Sequence, residues 1–586
     1  MAALTIRKSP PAAADHYLAD YETARRTFDW QVARRELTGD SGPRLNIAQE
    51  ALARQVEQGR GEQIAARFID RDWNRLDLTY AELDRRASRF AGVLSHLGIE
   101  RGATVATLLG RAPELFTVCL GALKAGNVFC SLFSAFGPEP LKTRLQLGHV
   151  KALVTTESLY RRKVAGIQPV LPELRHVLIV RDAASGELPA GTVDFHALMS
   201  LAPGIGETAP TRDEDVALLH FTSGTTGKPK GVTLTHAAVV AQYATSRLVL
   251  DLHPREIFWC TADPGWVTGI AYGLIGPLTC GVTLIVDREE FDPQRWYRML
   301  EEERVNVWYT APTAIRMLMK AGTALARERR YPRLRHMASV GEPLNAEAVT
   351  WGVEALGMPF HDTWWQTETG AIMIANFAAC DVLPGSMGRA VPGIEARVVR
   401  SAAAGKLEII DSPDEVGEIA LRPGWPSMFS SYLESPERYR ASFVDGWYLA
   451  GDLARRDRAG NFWFIGRADD VIKSAGHLIS PFEVESALMT HPAVAQAGVI
   501  GVPDPIAGQA VKAFVELKVG FEPSEELRLK IMGHARRQLG AVVAPREIAF
   551  KDSLPRTRSG KIMRRLLRAR ELGLPEGDLS TLEGRE

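Results

Sequence analysis

The stretch that most restricts this chain is residues 220–231, H-F-T-S-G-T-T-G-K-P-K-G, directly after the apolar run Val216, Ala217, Leu218 and Leu219. It reads as a strand feeding a small loop rich in glycine, hydroxyl groups and lysine. Glycine permits positive φ and close backbone approach, so such a loop can gather N–H groups, hydroxyls and ammonium groups around a polyanion. Phosphate is the expected guest. The loop is not a Walker A motif, which needs four residues between its glycines and Ser/Thr after the lysine. Here two residues separate Gly224 from Gly227, and Pro229 follows Lys228. Pro229 is compatible with opening a helix but donates no N–H.

The 586 residues exceed what one compact core organises, so several domains are expected. Residues 79–97 carry a helix signal, with Thr79 and Glu82 as a capping box and Leu83, Ala87, Phe90, Leu94 and Leu97 at helical spacing. Further helices are expected at 113–124, 237–249 and 293–303, alternating with strands at 104–109, 151–155, 176–180, 281–287 and 305–310. The fold class is therefore α/β, with parallel-rich sheets covered by helices and ligands beyond the carboxyl ends of strands. Residues 1–60 read as an extended lead packing on the main body. After Pro384, short strands at 391–400, 406–410 and 418–422 suggest a β-rich subdomain. Beyond residues 466–470 the pattern is that of a small α+β unit, with helices at 481–490 and 524–539 and strands at 494–502 and 510–518. The expected domains are residues 1–60, 61–468 and 469–586.

A formal net charge of +0 argues against a general nucleic-acid partner. The five cysteines (Cys119, Cys130, Cys260, Cys280, Cys380) are odd in number and lack metal-ligand spacing, which suits reduced thiols in the cytoplasm. There is no run of 18 apolar residues and no secretory apolar core at the start, so neither membrane insertion nor export is expected.

Three further stretches carry chemistry. Residues 362–370, D-T-W-W-Q-T-E-T-G, combine polar groups with two tryptophans whose side chains diverge in any extended segment. Trp364 is expected in the core. Glu368 suits a hard cation such as Mg²⁺ that bridges to phosphate. Residues 445–453, D-G-W-Y-L-A-G-D-L, put Asp452 on a strand next to a turn, where a carboxylate can accept from a ribose diol. Residues 554–562, L-P-R-T-R-S-G-K-I, present Lys561 on a glycine-flanked loop, able to stabilise charge on a phosphoryl or carboxylate oxygen. The arginines after it (Arg564, Arg565, Arg568, Arg570) read as a solvated basic helix.

Together these motifs resemble the acyl-adenylate-forming enzymes, over about residues 60–570 and in the family's order. Within that family the chain is similar to the AMP-forming acetyl-CoA synthetases, on the strength of G-W-V-T-G at 265–269, Y-T-A-P-T-A-I-R at 309–316 and V-G-E-P at 340–343. The resemblance implies ATP, Mg²⁺ and CoA as the partners of a carboxylic acid. Thr222, Ser223, Gly224, Thr225, Thr226, Gly227, Lys228 and Lys230 would hold the β- and γ-phosphates. Gly341, Glu342 and Pro343, with Asp362, Thr363, Trp364, Trp365 and Gln366, would border adenine. Thr367 would contact the α-phosphate and Glu368 the Mg²⁺, while Asp452 and Arg467 hold the ribose. Lys561 would serve adenylation and then leave as the small, mobile C-terminal domain turns about Asp469. Ala475 and Gly476 would then face CoA. A further Mg²⁺ would map near Met489, His491 and Val494.

By the same resemblance Val267, Thr268, Val340 and Trp365 would wall the acyl pocket, and a tryptophan at the last position implies a pocket cut short for acetate. Two residues depart from the pattern: Leu478 replaces a common arginine and Ala475 a common serine, both on the face used for thioester formation. Three readings stay open: an acetate–CoA ligase, a ligase for propionate or another small acid, and a catalytically idle acyl-adenylate-binding protein. Lys561 would also be a target for a lysine acetyltransferase and deacetylase. The oligomeric state is not legible.

Overall fold

The computed structural model describes all residues except 1–4, 9–15, 40–41, 183–186, 202–205, 223–228, 403–404, 475–476, 558–560, 578, 580–581 and 583–586, and the side chain of Leu478. Among the described residues, two large sheets form the body. In the nine-stranded sheet, Phe360–Trp364, His336–Ser339, Val307–Thr310, Ile257–Cys260, Thr283–Asp287 and Ile64–Ile69 run parallel, and Arg75–Thr79, Ile374–Ala375 and Arg389–Ala390 close the edges antiparallel. The eight-stranded sheet is built around Val216–Thr222, Val128–Ser131, Thr104–Leu108, Val150–Thr156 and His176–Val180, again parallel.

Helices Tyr80–His96 and Pro113–Lys124 pack against each other and share the main core with both sheets. The first is capped by Thr79, whose hydroxyl accepts from the Glu82 N–H. The second is buried at every residue but Glu114, as suits a mostly apolar helix. The two helices approach so closely that a Cβ on Gly121 would lie 2.7 Å from the Ala87 carbonyl oxygen.

Two readings of the sequence need correction. The described part of residues 1–60 is not an extended lead, although it does pack on the main body. Tyr21–Thr27 and Trp30–Thr38 are helices, started by Asp20 and Asp29, whose carboxylates accept from the N–H groups of the first turn. Leu18, Tyr21, Ala33 and Leu37 enter the main core. Pro229 does not open a helix either. The chain returns as Lys230–Thr235, antiparallel to Val216–Thr222 with Thr222 opposite Lys230. Residues 231–234 of that strand are all buried, and Val232 and Leu234 enter the main core; this tertiary burial overrides the helix-compatible proline.

The β-rich region is a six-stranded sheet among the described residues, in which Trp447–Arg456 is central and pairs with Val416–Leu421 and Phe462–Arg467. The C-terminal region carries its own sheet, led by the long pair Val494–Asp504 and Gly508–Leu517. Helices Pro481–Met489 and Glu525–Leu539 cover it, with a separate core around Val484, Leu488, Val499, Val515 and Ile531.

Candidate active site

The C-terminal region closes over the carboxyl edge of the nine-stranded sheet and leaves a cavity of about 170 Å³. Residues 341–343, the strand end 362–366, Asp452 and Arg467 line it from the body, and Lys561 and Arg564 from the other side. All of these but Arg564 are residues that the family resemblance assigned to adenine, ribose and the mobile lysine, brought together from positions up to 220 apart in the chain.

Asp452 organises the wall of this cavity. Its Oδ2 accepts from Trp364 Nε1 at 3.0 Å and Gln366 Nε2 at 2.8 Å, and its Oδ1 lies 3.3 Å from an Arg467 guanidinium nitrogen. Gln366 is itself fixed, accepting from the Tyr448 hydroxyl at 2.8 Å. Asp452 and Arg467 are register partners on adjacent antiparallel strands. Burial pushes the Asp452 carboxyl above its ordinary pKa, while Arg467 and Lys561 pull it down. One oxygen is thus saturated, and the other is left beside a cation at the cavity edge. That is the arrangement of an acceptor for a neutral diol. Trp364 is buried as expected, but its indole N–H is also part of the site.

Asp362 has a different local task. It is fully desolvated, which raises its pKa to about 7, and its carboxyl accepts from Ser339 Oγ at 2.7 Å and the Leu344 N–H at 3.3 Å. It therefore fixes the 341–344 turn, where Gly341 takes φ +98°. Glu342 pairs with Arg316 at 2.6 Å and accepts from Thr313 Oγ1 at 2.5 Å.

Glu368 is half-buried, and its Oε1 accepts from the Tyr432 hydroxyl at 2.8 Å. The Lys230 ammonium stands 5.3 Å from the centroid of the same ring, and burial lowers its pKa against the pull of Glu368. Lys230, Arg438 and Arg144 border a second cavity of about 820 Å³ beside helix Pro138–Leu147. Ser223, Gly224, Thr225, Thr226, Gly227 and Lys228 lie outside the described residues; Thr222 and Lys230 flank them. Thr367 occupies the tight turn between Gln366 and Gly370, and its carbonyl accepts from the Gly370 N–H at 3.2 Å. No group of three or more His, Cys, Asp or Glu side chains suited to a metal occurs among the described residues.

The adjacent tryptophans diverge as expected. Trp365 Nε1 donates to the Tyr309 hydroxyl at 3.3 Å, and its ring meets the Tyr272 ring edge-on at 5.2 Å. Val340 is buried just beyond strand His336–Ser339. Val267 and Thr268 open the short helix Val267–Ile270, one turn before Tyr272.

Tyr309, Tyr272, Tyr432 and Arg564 escaped the residue-level reading. Tyr309 falls within Y-T-A-P-T-A-I-R, where the motif gives it no role, and spacing alone reads Arg564 as part of a solvated basic helix. That helix, Arg564–Leu572, instead buries Leu566, Leu567 and Ala569, and Arg564 binds Glu485 through Nε–Oε1 at 2.8 Å. Asp469 is exposed, with an oxygen 3.5 Å from Arg467 Nε. Ala475 and Gly476 lie outside the described residues, between strands Ile472–Ser474 and His477–Ile479, the second of which carries Leu478. Met489, His491 and Val494 lie together where helix Pro481–Met489 gives way to the next strand, and His491 Nδ1 accepts from the Ala493 N–H.

Comparison with known proteins adds an independent line. The profile of the AMP-binding enzyme family matches residues 52–433, and that of the AMP-binding enzyme C-terminal domain matches residues 483–561. The chain is 43% identical to an acetyl-coenzyme A synthetase of Bacillus subtilis, over 99% of this chain and 100% of that one. It is 37% identical to an acetyl-coenzyme A synthetase of Methanothrix thermoacetophila, over 93% and 86%. Among solved structures it is similar to an acyl-CoA synthetase of Brucella canis (TM-score 0.73, 36% identity, 94% and 99% coverage). It also resembles an anthranilate CoA ligase in complex with anthranoyl-AMP (TM-score 0.80, 27% identity, 91% and 98% coverage).

Proposed function

The chain belongs to the AMP-binding, acyl-adenylate-forming enzyme family, and from that premise we propose that it is an ATP-dependent acetate–CoA ligase. An acetate oxygen attacks the α-phosphorus of ATP, the bond to the β-phosphate breaks, and acetyl-AMP and pyrophosphate form. The CoA thiol then adds to the acyl carbonyl, gives up its proton, and expels AMP to leave acetyl-CoA. The observation that carries this reading is the single cavity joining Asp452, Arg467, Gln366 and Lys561.

In our assignment Asp452 accepts from the ribose hydroxyls and Arg467 holds its carboxylate in place. The turn 341–343 and the strand end 362–366 border the base. Lys561 offsets the repulsion between two anions brought together at the α-phosphorus. Thr367 faces the α-phosphate, and residues 222–230 hold the departing pyrophosphate. Glu368 fits an Mg²⁺ shared with phosphates: it is a single half-buried carboxylate oriented by Tyr432, and Mg²⁺ in such sites takes one or two carboxylates and draws its other ligands from phosphate and water. When bound, the ion would neutralise charge on the triphosphate. A second Mg²⁺ at Met489, His491 and Val494 would rest on main-chain oxygens, since Mg²⁺ prefers oxygen donors and none of the three side chains carries one.

Residues 1–60 and 61–468 would act as one body and 469–586 as the moving part, hinged at Asp469. After rotation Ala475 and Gly476 would meet CoA. Val267, Thr268, Val340 and Trp365 would limit the acid to acetate, with propionate as the alternative substrate. Lys561 would be open to acetylation by a lysine acetyltransferase. No helix among the described residues is long and apolar enough to cross a membrane.

Pyrophosphate release across a panel of acids, with and without CoA, tests the assignment. Release with acetate, and CoA-dependent AMP formation, are the expected results. AMP formation indifferent to CoA would reject the thioester step, and no release with any acid would reject catalysis.

A further inference from the structure

The indole of Trp365 is held from two sides by tyrosines buried at 0% exposure. Its Nε1–H donates to the Tyr309 hydroxyl at 3.3 Å. Tyr309 passes its own proton to Thr363 Oγ1 at 2.9 Å, because the Thr363 proton is committed to the Ser339 carbonyl at 2.7 Å. Every hydrogen in this relay has one destination. It starts at the proposed acyl wall and ends on the main chain of the parallel strand His336–Ser339. The second tyrosine acts through its ring. Tyr272 meets Trp365 edge-on at 5.2 Å and Tyr309 edge-on at 5.8 Å. Its hydroxyl points elsewhere, accepting from the Ile372 N–H at 2.8 Å and sharing a hydrogen bond with Thr245 at 2.7 Å.

We infer that Tyr309 is a positioning residue for acid specificity: its hydroxyl fixes the Trp365 indole and thereby sets the depth of the acyl pocket. The inference rests on the reading of Trp365 as the end wall. Packing alone resists sliding of the indole but not its rotation about the ring–Cβ axis. The hydrogen bond removes that freedom, since a buried donor that loses its acceptor carries a penalty in the closed position. Without the Tyr309 hydroxyl, the indole is free to swing and an acid longer by one or two methylenes finds room.

The test compares Tyr309→Phe, Tyr272→Phe and Trp365→Gly with the full-length parent, measuring kcat/KM for acetate, propionate and butyrate by pyrophosphate release. Tyr309→Phe should raise the butyrate-to-acetate ratio about fivefold, the scale of one lost hydrogen bond, with KM for ATP within about twofold of the parent. Tyr272→Phe deletes a buried hydroxyl of the same kind but spares the relay, and should leave the ratio unchanged. An unchanged ratio in Tyr309→Phe, or an equal shift in Tyr272→Phe, overturns the inference. If Trp365→Gly alone broadens the range, the acyl wall stands and only the relay fails. If Trp365→Gly changes nothing, the reading beneath it fails. Should Tyr309→Phe not fold, Thr363→Val removes the next acceptor in the relay; it should shift the ratio in the same direction, and no shift counts against the relay.

Discussion

Tyr432 donates its phenolic hydrogen to Glu368 across 2.8 Å while its ring lies beneath the Lys230 ammonium at 5.3 Å. One side chain therefore orients both the carboxylate proposed for Mg²⁺ and a lysine at the foot of the phosphate loop. Tyr432→Phe keeps the ring and loses the hydroxyl. We expect KM for ATP, titrated at fixed low Mg²⁺, to rise by about ten- to a hundredfold, the scale of a hydrogen bond to a charged group. KM for acetate should not move. Equal changes in both constants would show that Tyr432 supports the site only generally.

Lys561 lines the cavity from the C-terminal side. Lys561→Ala should depress acetate-dependent pyrophosphate release by about 10²–10³-fold, as expected for loss of a preorganised charge at the reacting centre. Conversion of supplied acetyl-AMP and CoA to acetyl-CoA should persist, because the lysine is proposed to serve only the first step. Parallel loss of both half-reactions would contradict the division of labour.

Trp365→Gly removes the indole between Tyr272 and Tyr309. One methylene in an apolar pocket is worth about 1–3 kcal/mol, or about 10- to 200-fold. Activity on butyrate should therefore rise at least about tenfold relative to acetate. An unaltered chain-length profile in the purified variant would remove Trp365 from the pocket.

Acid sensitivity follows from buried histidines. Burial pushes His220 and His236 down to about 4, and His336 and His361 well below the ordinary 6.5. Between pH 6.5 and about 4 the unfolded chain binds protons that the native chain refuses, so stability falls as pH falls. Asp362, raised to about 7, opposes this, since it binds a proton in the native state that the unfolded chain has lost above pH 3.8. Asp263, Asp452 and Glu485, also raised by burial, act in the same sense as Asp362, as do His149 and His196, raised by neighbouring carboxylates. The four histidines, two of them displaced across the whole interval from 6.5 to about 4, are expected to outweigh these groups, one pKa unit being worth about 1.4 kcal/mol. Tm should drop on going from pH 7.5 to 5, and His220→Leu should flatten part of the slope. A Tm that holds or rises toward pH 5 would refute this balance.

Elements with strong local signals were legible. The helix capped by Thr79 and the mostly apolar helix Pro113–Lys124 are set by spacing and composition alone. The helices started by Asp20 and Asp29 were hidden by short length and polar composition, and they are stabilised by Tyr21 and Trp30 docking on the distant Ala390 and Gly393 carbonyls. At the site, residues that face a ligand were legible because their chemistry recurs as contiguous motifs. Residues that hold those residues were not. Tyr432, Tyr309 and Tyr448 act through partners 64, 56 and 82 positions away, and no periodicity in the chain encodes such pairs. Arg564 looked solvated because only tertiary packing brings Glu485 to it.

The pairing of Asp452 with Arg467 has a consequence for inserting foreign peptides into this protein. The two residues belong to strands Trp447–Arg456 and Phe462–Arg467, joined by a turn in which Asp457 accepts from the Asn461 N–H and side-chain amide. Side chains alternate faces along a strand, so adding or deleting one residue in either arm would carry the guanidinium to the opposite side of the sheet from the carboxylate. The turn itself is five residues from Asp452, roughly 17 Å along the strand. A tag or reporter peptide spliced in beside Gly460 leaves both arms in step, whereas the same peptide placed between Leu453 and Arg456 breaks the nucleotide wall.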